Sequence, residues 1–276
     1  MKGRRICGGF FFLQSVRVSL SVLAVIPARY GSTRLPGKPL LAETGRPLIQ
    51  HVYERVRAAS EIDRVVVATD DERIAAAVVG FSGEAVMTSP DHATGAERVA
   101  EAAAGVQADV VLNVQGDEPE IEPAHLDRLA RLQKETGAFA STLACPFPAE
   151  AVSGHGSPLD PSCVKVVAAK LKDGAGQALY FSRSLIPYTQ GAEENCARPQ
   201  DWLMHIGVYA FSPASLAGFA AAPASRLEKA ERLEQLRILE MGETIAVAIV
   251  DGARPGVDTA EDYAAFVARW RAGEVS

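Results

Sequence analysis

The sequence predicts an α/β protein, and three observations support this prediction. First, short apolar runs typical of buried strands alternate with segments whose apolar residues recur at helical spacing. Second, the early strand-like runs end in polar or charged residues, and open α/β sheets bind ligands at that edge. Third, residues 164–168 and 178–181 flank a Lys-Asp-Gly turn, which predicts a hairpin and therefore a smaller antiparallel portion.

The first part of the chain has the order strand, helix, strand, helix. Residues 22–28 form an apolar run that opens into a loop, and residues 47–56 carry apolar side chains at helical spacing. Residues 65–68 have the pattern of a buried strand, and a short helix follows over residues 72–79. Parallel strands need such a crossover helix, so this order predicts a βαβ beginning.

A polar loop then leads into a helix that ends near Gly105. Thr94 is the predicted N-cap of this helix, with Glu97 as its capping-box partner. A helix N-terminus is also an anion site, so Thr94 can contact a ligand as well as cap the helix. Residues 110–114 form the third buried strand.

The second half adds further elements. The sequence predicts a helix from Pro123 to about Glu135, a strand over residues 138–147, a charged helix over residues 227–237, and a last helix that ends near Ala272 with Thr259 and Asp262 as its cap pair.

The composition limits the classes of function. The chain has 276 residues and 48% hydrophobic content, enough for one large α/β domain or two small ones. Its formal net charge is -6, which argues against a general nucleic-acid binder. A small anionic ligand fits a local basic loop in an acidic protein better.

That basic loop follows the first strand. Arg29, Arg34 and Lys38 place three cations on one segment, while Gly31 and Gly37 let the backbone approach a bulky anion. This combination predicts a triphosphate-binding loop.

The loop has two other possible interpretations. A Walker A loop needs a Ser or Thr after its Gly-Lys, but here Lys38 is followed by Pro39, which offers neither a hydroxyl nor a backbone donor. An ATPase or GTPase of that type is therefore disfavoured. The simpler alternative is a solvated cationic turn without a ligand.

The third strand ends at Gln115, Gly116 and Asp117. Asp117 stands where a carboxylate can hold a divalent cation against a nucleotide phosphate. Taken alone, an acidic turn after a strand is more often a solvated carboxylate, so the position of Asp117 carries the prediction. Asp258 is a second carboxylate beside a glycine turn.

The N-terminal residues 1–21 differ from the rest of the chain. Arg4 and Arg5 precede an apolar run like the start of a signal peptide, but the run is too short to span a bilayer and lacks a small-residue cleavage site. We predict a disordered extension or a mis-assigned start, and no membrane partner. The four cysteines, Cys7, Cys145, Cys163 and Cys196, have no metal-site spacing, so we expect reduced thiols and a cytoplasmic protein.

With these motifs in view, residues 22–271 resemble the 3-deoxy-manno-octulosonate (Kdo) cytidylyltransferases, also called CMP-Kdo synthetases. Five stretches in family order carry the resemblance. They are VIPARYGSTRLPGKPL from Val25, NVQGDEP from Asn113, YFSR from Tyr180, LEQLR from Leu233 and GVDT from Gly256.

The resemblance implies a mixed, mostly parallel sheet like that of nucleotide-diphospho-sugar transferases, with helices on both faces. It implies one domain over residues 22–276, in which residues 22–150 bind CTP, residues 151–250 bind the sugar and dimerise, and residues 251–276 carry the second metal aspartate. It also implies a homodimer.

The resemblance further assigns the site residues. Implied catalytic residues are Arg29, Lys38, Asp117 and Asp258, the two aspartates also holding Mg²⁺. Implied nucleotide contacts are Pro27, Ala28, Arg29, Arg34, Lys38, Thr69, Asp70, His92, Thr94, Gly95, Arg98, Gln115 and Gly116. Implied sugar contacts are Arg183, His205, Tyr209, Glu234 and Gln235, with Arg183 as the partner of the sugar carboxylate.

The implied reaction joins CTP and Kdo into CMP-Kdo and pyrophosphate, for lipopolysaccharide biosynthesis. Two features depart from the family pattern: its usual Ser-Gly-Thr-Glu-Arg is Thr-Gly-Ala-Glu-Arg here, losing a hydroxyl at Ala96, and residues 1–21 have no counterpart.

The sequence leaves two alternatives for the function. A sister cytidylyltransferase acting on sialic acid or an 8-amino Kdo analogue would share the first loop and differ in the second half. A catalytically silent nucleotide-sugar sensor would be expected to lose Lys38 or one aspartate, and all three are present.

Overall fold

The computed structural model describes residues 20–31, 35–189, 198–254 and 256–275. Residues 1–19, for which disorder is predicted, and Arg34 lie outside them. The described strands are β1 (Val22–Ala28), β2 (Arg64–Thr69), β3 (Ala85–Met87), β4 (Val110–Asn113), β5 (Ala140–Pro146), β6 (Lys165–Lys172), β7 (Ala175–Ser182), β8 (Leu203–Phe211) and β9 (Ile245–Ile249). The described α-helices are α1 (Leu48–Arg57), α2 (Glu72–Gly80), α3 (Gly95–Ala104), α4 (Pro123–Thr136), α5 (Pro213–Ala221), α6 (Arg226–Glu231), α7 (Gln235–Glu240) and α8 (Ala260–Arg271).

One mixed sheet contains all nine described strands, in the order β3-β2-β1-β4-β8-β5-β9-β7-β6. The strands β1 to β4 are mutually parallel, and β5 pairs in parallel with β9. Only β7 and β8 run opposite to the other described strands. Because each of them lies between two such strands, each makes antiparallel pairs on both sides. The antiparallel portion is therefore larger than the sequence predicts, although most described strands share one direction.

Helices cover both faces of the sheet, because successive apolar side chains along a strand point to opposite faces. In β1, Ala24 and Ile26 face a core that includes α1, α2 and α4, whereas Leu23 and Val25 face a core that includes α3, α5 and α7. Burial on both faces explains why the strand sequences are continuously apolar. The predicted two-faced architecture is confirmed.

A small separate core attaches α8 to the start of α1. It contains Leu48, Val257 and Phe266, and the His51 ring meets the Phe266 ring edge-on at 5.1 Å. The predicted cap pair is confirmed, since Thr259 and Asp262 form a reciprocal capping box. This packing fixes the segment that carries Asp258.

The prediction of one continuous charged helix over residues 227–237 is wrong. Arg232 adopts a left-handed conformation with φ 54°, so the segment is two short helices with a break between them. The short edge strand β3, helix α5 and strand β9 were not predicted. Among the described residues, no helix combines the length and apolar character needed to cross a membrane.

Candidate active site

The first cavity lies at the carboxyl ends of β1 and β4 and beside the N-terminus of α3. Its volume is about 310 Å³. It is lined by Pro27, Ala28, Arg29, Lys38, Pro39, His92, Ala93, Thr94, Gly95, Arg98, Gln115, Gly116, Asp117, Glu234 and Asp258. The structure thus brings together most of the predicted nucleotide contacts and both predicted metal aspartates.

The loop after β1 turns back on itself at Gly37. This residue has φ 67°, a conformation that favours glycine, and its amide donates to Tyr30 O at 3.2 Å. The chain then enters a 3-10 turn over Lys38–Leu40. The turn directs Lys38 into the cavity.

The Lys38 ammonium joins three segments that are distant in sequence. Its Nζ lies 2.8 Å from Asp117 Oδ2, 2.8 Å from Val257 O and 3.4 Å from Asp258 Oδ1. The Lys38 side chain is mostly buried, whereas Asp258 is 46% exposed. The predicted convergence of the two aspartates therefore exists, and a cation occupies the position between them.

Close backbone approach places both aspartates. A Cβ on Gly116 would lie 2.8 Å from Pro27 O, so only glycine lets β4 end this near β1. A Cβ on Gly256 would lie 3.2 Å from Asp117 O, and the amide of Val257 donates to that same oxygen at 2.8 Å. The two aspartate loops are therefore joined through their backbones.

The helix side of the cavity is organised by Thr94. As predicted, its hydroxyl accepts the amide of Glu97 and caps α3. The Glu97 carboxylate accepts the amide of Ala93 instead of returning to Thr94. The His92 ring also lines the cavity and is hydrogen-bonded to Glu101.

Arg98 is the most deeply buried cation of this cavity, at 4% exposure. It donates to Thr88 Oγ1 at 2.5 Å and lies 3.4 Å from Asp70 Oδ2. Asp70 and Thr69 do not line the described cavity. Thr69 is the buried last residue of β2, and among the described residues Asp70 contacts the cavity only through its ion pair with Arg98.

A second cavity of about 330 Å³ adjoins the first, and the two share Asp117 and Asp258. Its other described lining residues are Glu118, His155, Gly156, Ser162, Cys163, Val164, Met204, His205, Ile206, Gly207, Ala253, Arg254, Gly256, Thr259 and Asp262. Burial, with Asp117 and Asp258 close by, raises the pKa of Glu118 to about 8. A protonated Glu118 limits the negative charge where the cavities meet.

His205 is the predicted sugar contact that lines the second cavity. Its Nε2 lies 2.9 Å from the Thr142 hydroxyl, which itself donates to Val208 O at 2.7 Å. The ring therefore donates through Nε2, leaving Nδ1 as an acceptor. Burial lowers the pKa of His205 to about 3, so the ring is neutral near pH 7.

The other predicted sugar residues do not line the described surface of this cavity. Tyr209 contacts the His205 ring at a centroid distance of 5.5 Å, and burial raises its pKa well above the usual value. Gln235 is buried at the start of α7. Glu234 lines the first cavity instead, and burial raises its pKa.

The Arg183 guanidinium is held by the backbone. Its Nε donates to Glu231 O at 2.8 Å, and its Nη1 donates to Pro161 O at 2.9 Å. A role for Arg183 toward a substrate carboxylate stays a prediction.

Sequence reasoning missed Glu118 and the wall formed by residues 162–164. Glu118 directly follows Asp117, so its place near the site could have been predicted from the sequence. The wall depends on how the loop packs beside the hairpin, and such packing leaves no local sequence pattern.

Comparison with known proteins gives a consistent answer. A family model described as cytidylyltransferase matches residues 23–245. The chain belongs to the cytidylyltransferase family. It is 45% identical over 252 residues to a 3-deoxy-manno-octulosonate cytidylyltransferase from Syntrophobacter fumaroxidans, covering 90% of this chain and 96% of that one.

Two further relatives agree. A 3-deoxy-manno-octulosonate cytidylyltransferase from Escherichia coli is 45% identical over 235 residues, covering 85% of this chain and 90% of the relative. A solved structure of CMP:2-keto-3-deoxy-manno-octonic acid synthetase complexed with CTP superposes with a TM-score of 0.80 at 40% identity, covering 92% of this chain and all of that one. The nucleotidyltransferase fold is thereby confirmed.

Proposed function

We propose that this protein transfers CMP from CTP to Kdo, giving CMP-Kdo and pyrophosphate. The observation that carries the proposal is the meeting of two cavities at Lys38, Asp117 and Asp258. The relatives named above for this reaction, at 45% identity over most of the chain, support it.

In this proposal CTP occupies the first cavity. Arg29 and Lys38 line it and would offset charge on the phosphates and on the departing pyrophosphate. Arg34, which belongs to the same cationic loop in sequence, is proposed for the same task. Arg98 and the capped N-terminus of α3 offer further donors to the nucleotide.

The residues present fit a divalent cation. Asp117 and Asp258 already share one positive group, the Lys38 ammonium, and both are oxygen donors of the kind Mg²⁺ prefers. The described residues contain no group of three or more metal-ligating side chains, so an ion here would take its other ligands from phosphates and water. When bound, Mg²⁺ would polarise the α-phosphate.

Kdo would occupy the second cavity, next to the shared aspartates. Its anomeric hydroxyl would attack the α-phosphate and lose its proton to solvent, as the new oxygen–phosphorus bond forms and the bond to the departing pyrophosphate breaks. The protein's contribution is to orient the two substrates and to stabilise charge, without a covalent nucleophile. Neutral His205 can accept a hydrogen bond from a sugar hydroxyl through Nδ1.

We further propose a homodimer in the cytoplasm. The hairpin of β6 and β7 exposes Leu171 at 53% and Leu179 at 56%, which gives it an apolar surface suited to a second copy. Light scattering of the purified protein tests this: a dimer that Leu179→Lys converts to monomers supports it, and a monomeric wild type contradicts it.

Pyrophosphate release tests the proposed reaction. Purified protein with magnesium should release pyrophosphate from CTP and Kdo, and much less when UTP replaces CTP. Equal or better activity with sialic acid would assign the protein to a sister cytidylyltransferase instead. Preference for an 8-amino Kdo analogue would change the substrate but keep the reaction class.

A further inference from the structure

Lys165 is a buried cation that the proposed reaction does not use. It begins β6, immediately after the loop that supplies residues 162–164 to the second cavity. Its exposure is 0%, which is unusual for lysine. The three hydrogen bonds of its ammonium go to main-chain carbonyls, those of Asp160 at 3.0 Å, Cys163 at 2.7 Å and Arg183 at 2.6 Å.

These three bonds connect two sides of the second half of the molecule. Asp160 and Cys163 belong to the loop whose residues line the second cavity, whereas Arg183 follows the end of β7. Arg183 in turn donates to Pro161 O on the same loop and to Glu231 O at the end of α6. The ammonium is thus the buried centre of a network that holds the cavity wall against the sheet.

Stability alone does not explain a lysine at this position. Burying an ammonium is costly unless it is fully hydrogen-bonded, and an apolar side chain of similar length would avoid that cost. Among the described residues Lys165 forms no direct ion pair with a carboxylate, and Asp160 and Glu231 attract its charge only from a distance. What the ammonium provides is three donors that fix three carbonyls in one arrangement.

We propose that Lys165 is a positioning residue for the acidic sugar substrate, because its ammonium fixes the loop that forms one wall of the second cavity. This inference rests on the proposed function and adds a residue that acts through the loop rather than by touching the substrate. The first cavity has no part of this loop in its described lining. Loss of the ammonium should therefore affect the sugar and spare CTP.

The test is a comparison of Michaelis constants in Lys165→Met, which keeps the length of the side chain and removes all three donors. The KM for Kdo should rise about tenfold or more, as expected when positioning is lost, while the KM for CTP changes less than about twofold. Lys165→Gln keeps two donors and should give a smaller rise. It also serves if Lys165→Met does not fold.

Two matched controls separate positioning from stability. Lys172→Met makes the same change on the exposed end of the same strand and should leave both constants unchanged. Leu129→Ala destabilises the buried side of α4 away from both cavities and should lower Tm without moving either KM.

The outcomes are distinct. Wild-type KM values in the folded Lys165 variants, or an equal rise for both substrates, would overturn the inference while leaving the proposed function intact. No pyrophosphate release by the wild type would instead contradict the proposed function.

Discussion

The two cavities are built in different ways. The first is assembled at the ends of parallel strands and at one helix N-terminus, and charged side chains from the β1 loop and α3 point into it. The second is formed by β8, a strand running against its neighbours, and by loops, one of which is held largely through backbone carbonyls.

This difference shows two ways of making a binding site. In the first cavity, residues proposed to contact the nucleotide, such as Lys38 and Thr94, also shape the cavity through their own hydrogen bonds. In the second, residues such as Lys165 and Arg183 are occupied with holding the wall. Substitutions around the first cavity should therefore affect mainly CTP, and substitutions around the second should affect mainly Kdo.

The largest expected effect is at the junction of the cavities. Asp117→Asn and Asp258→Asn preserve shape but remove charge, and each should lower kcat by about 1,000-fold, as typical for a lost transition-state contact. Because both act on one site, the double variant should be little worse than the poorer single variant. Steady-state kinetics at saturating magnesium measure this.

Asp173→Asn is the matched control, since Asp173 lies in an exposed turn with φ 52°, a conformation that Asn tolerates. Turnover near the wild-type value for Asp258→Asn would leave Asp117 as the sole metal ligand and remove the shared junction.

Acid should weaken the attachment of α8, the helix that follows Asp258. Burial lowers the pKa of His51 to about 4, so the unfolded chain binds a proton more readily than the folded one. The contribution of neutral His51 to the free energy of unfolding is therefore fully present above pH 6.5. About 3 kcal/mol of that free energy is lost as the pH falls from 6.5 toward 4. Urea denaturation between pH 4 and 7 measures the slope, and His51→Gln should flatten it.

His155→Gln removes a histidine that is 78% exposed and should leave the slope unchanged. A wild-type slope in His51→Gln would assign the acid sensitivity to other groups.

Arg183→Lys should produce a smaller effect confined to the second half. Lysine keeps the charge but loses the planar fork that reaches both Pro161 O and Glu231 O. The KM for Kdo should rise about tenfold with little change for CTP. Arg226→Lys, at the exposed start of α6, is the control. Equal rises for both substrates would show that Arg183 supports the fold or the phosphates.

The smallest effect concerns the N-terminal segment. Deleting residues 2–20 should change neither turnover nor Tm, because the buried core begins at Val22 and Leu20 is exposed. Activity and melting curves of the two chains measure this. A loss of soluble, active protein on deletion would show that the segment packs on the domain.

The sequence predicts the features that are set locally and misses those that depend on distant packing. The βαβ order, the Thr94 cap and the hairpin could be read locally, because periodicity and cap residues lie within a few positions of each other. The break at Arg232 could not be predicted, because its left-handed conformation interrupts a segment whose charge pattern is that of one continuous helix.

The candidate site shows the same limit. Asp117 could be placed from its strand, but its contact with Lys38 and the backbone of Val257 depends on α8 packing against α1. The wall around Cys163 depends on three carbonyls meeting one buried ammonium, and no sequence motif records such an arrangement.

The division of substrates between the cavities is tested most directly by amide hydrogen exchange of the wild type with each substrate. CTP alone, with magnesium, should protect residues 92–98 and 115–117, and leave residues 160–164 and 203–209 unchanged. Kdo added afterwards, in the presence of a non-hydrolysable CTP analogue, should protect the second group. Protection of residues 160–164 by CTP alone, or no added protection with Kdo, would contradict the assignment of one substrate to each cavity.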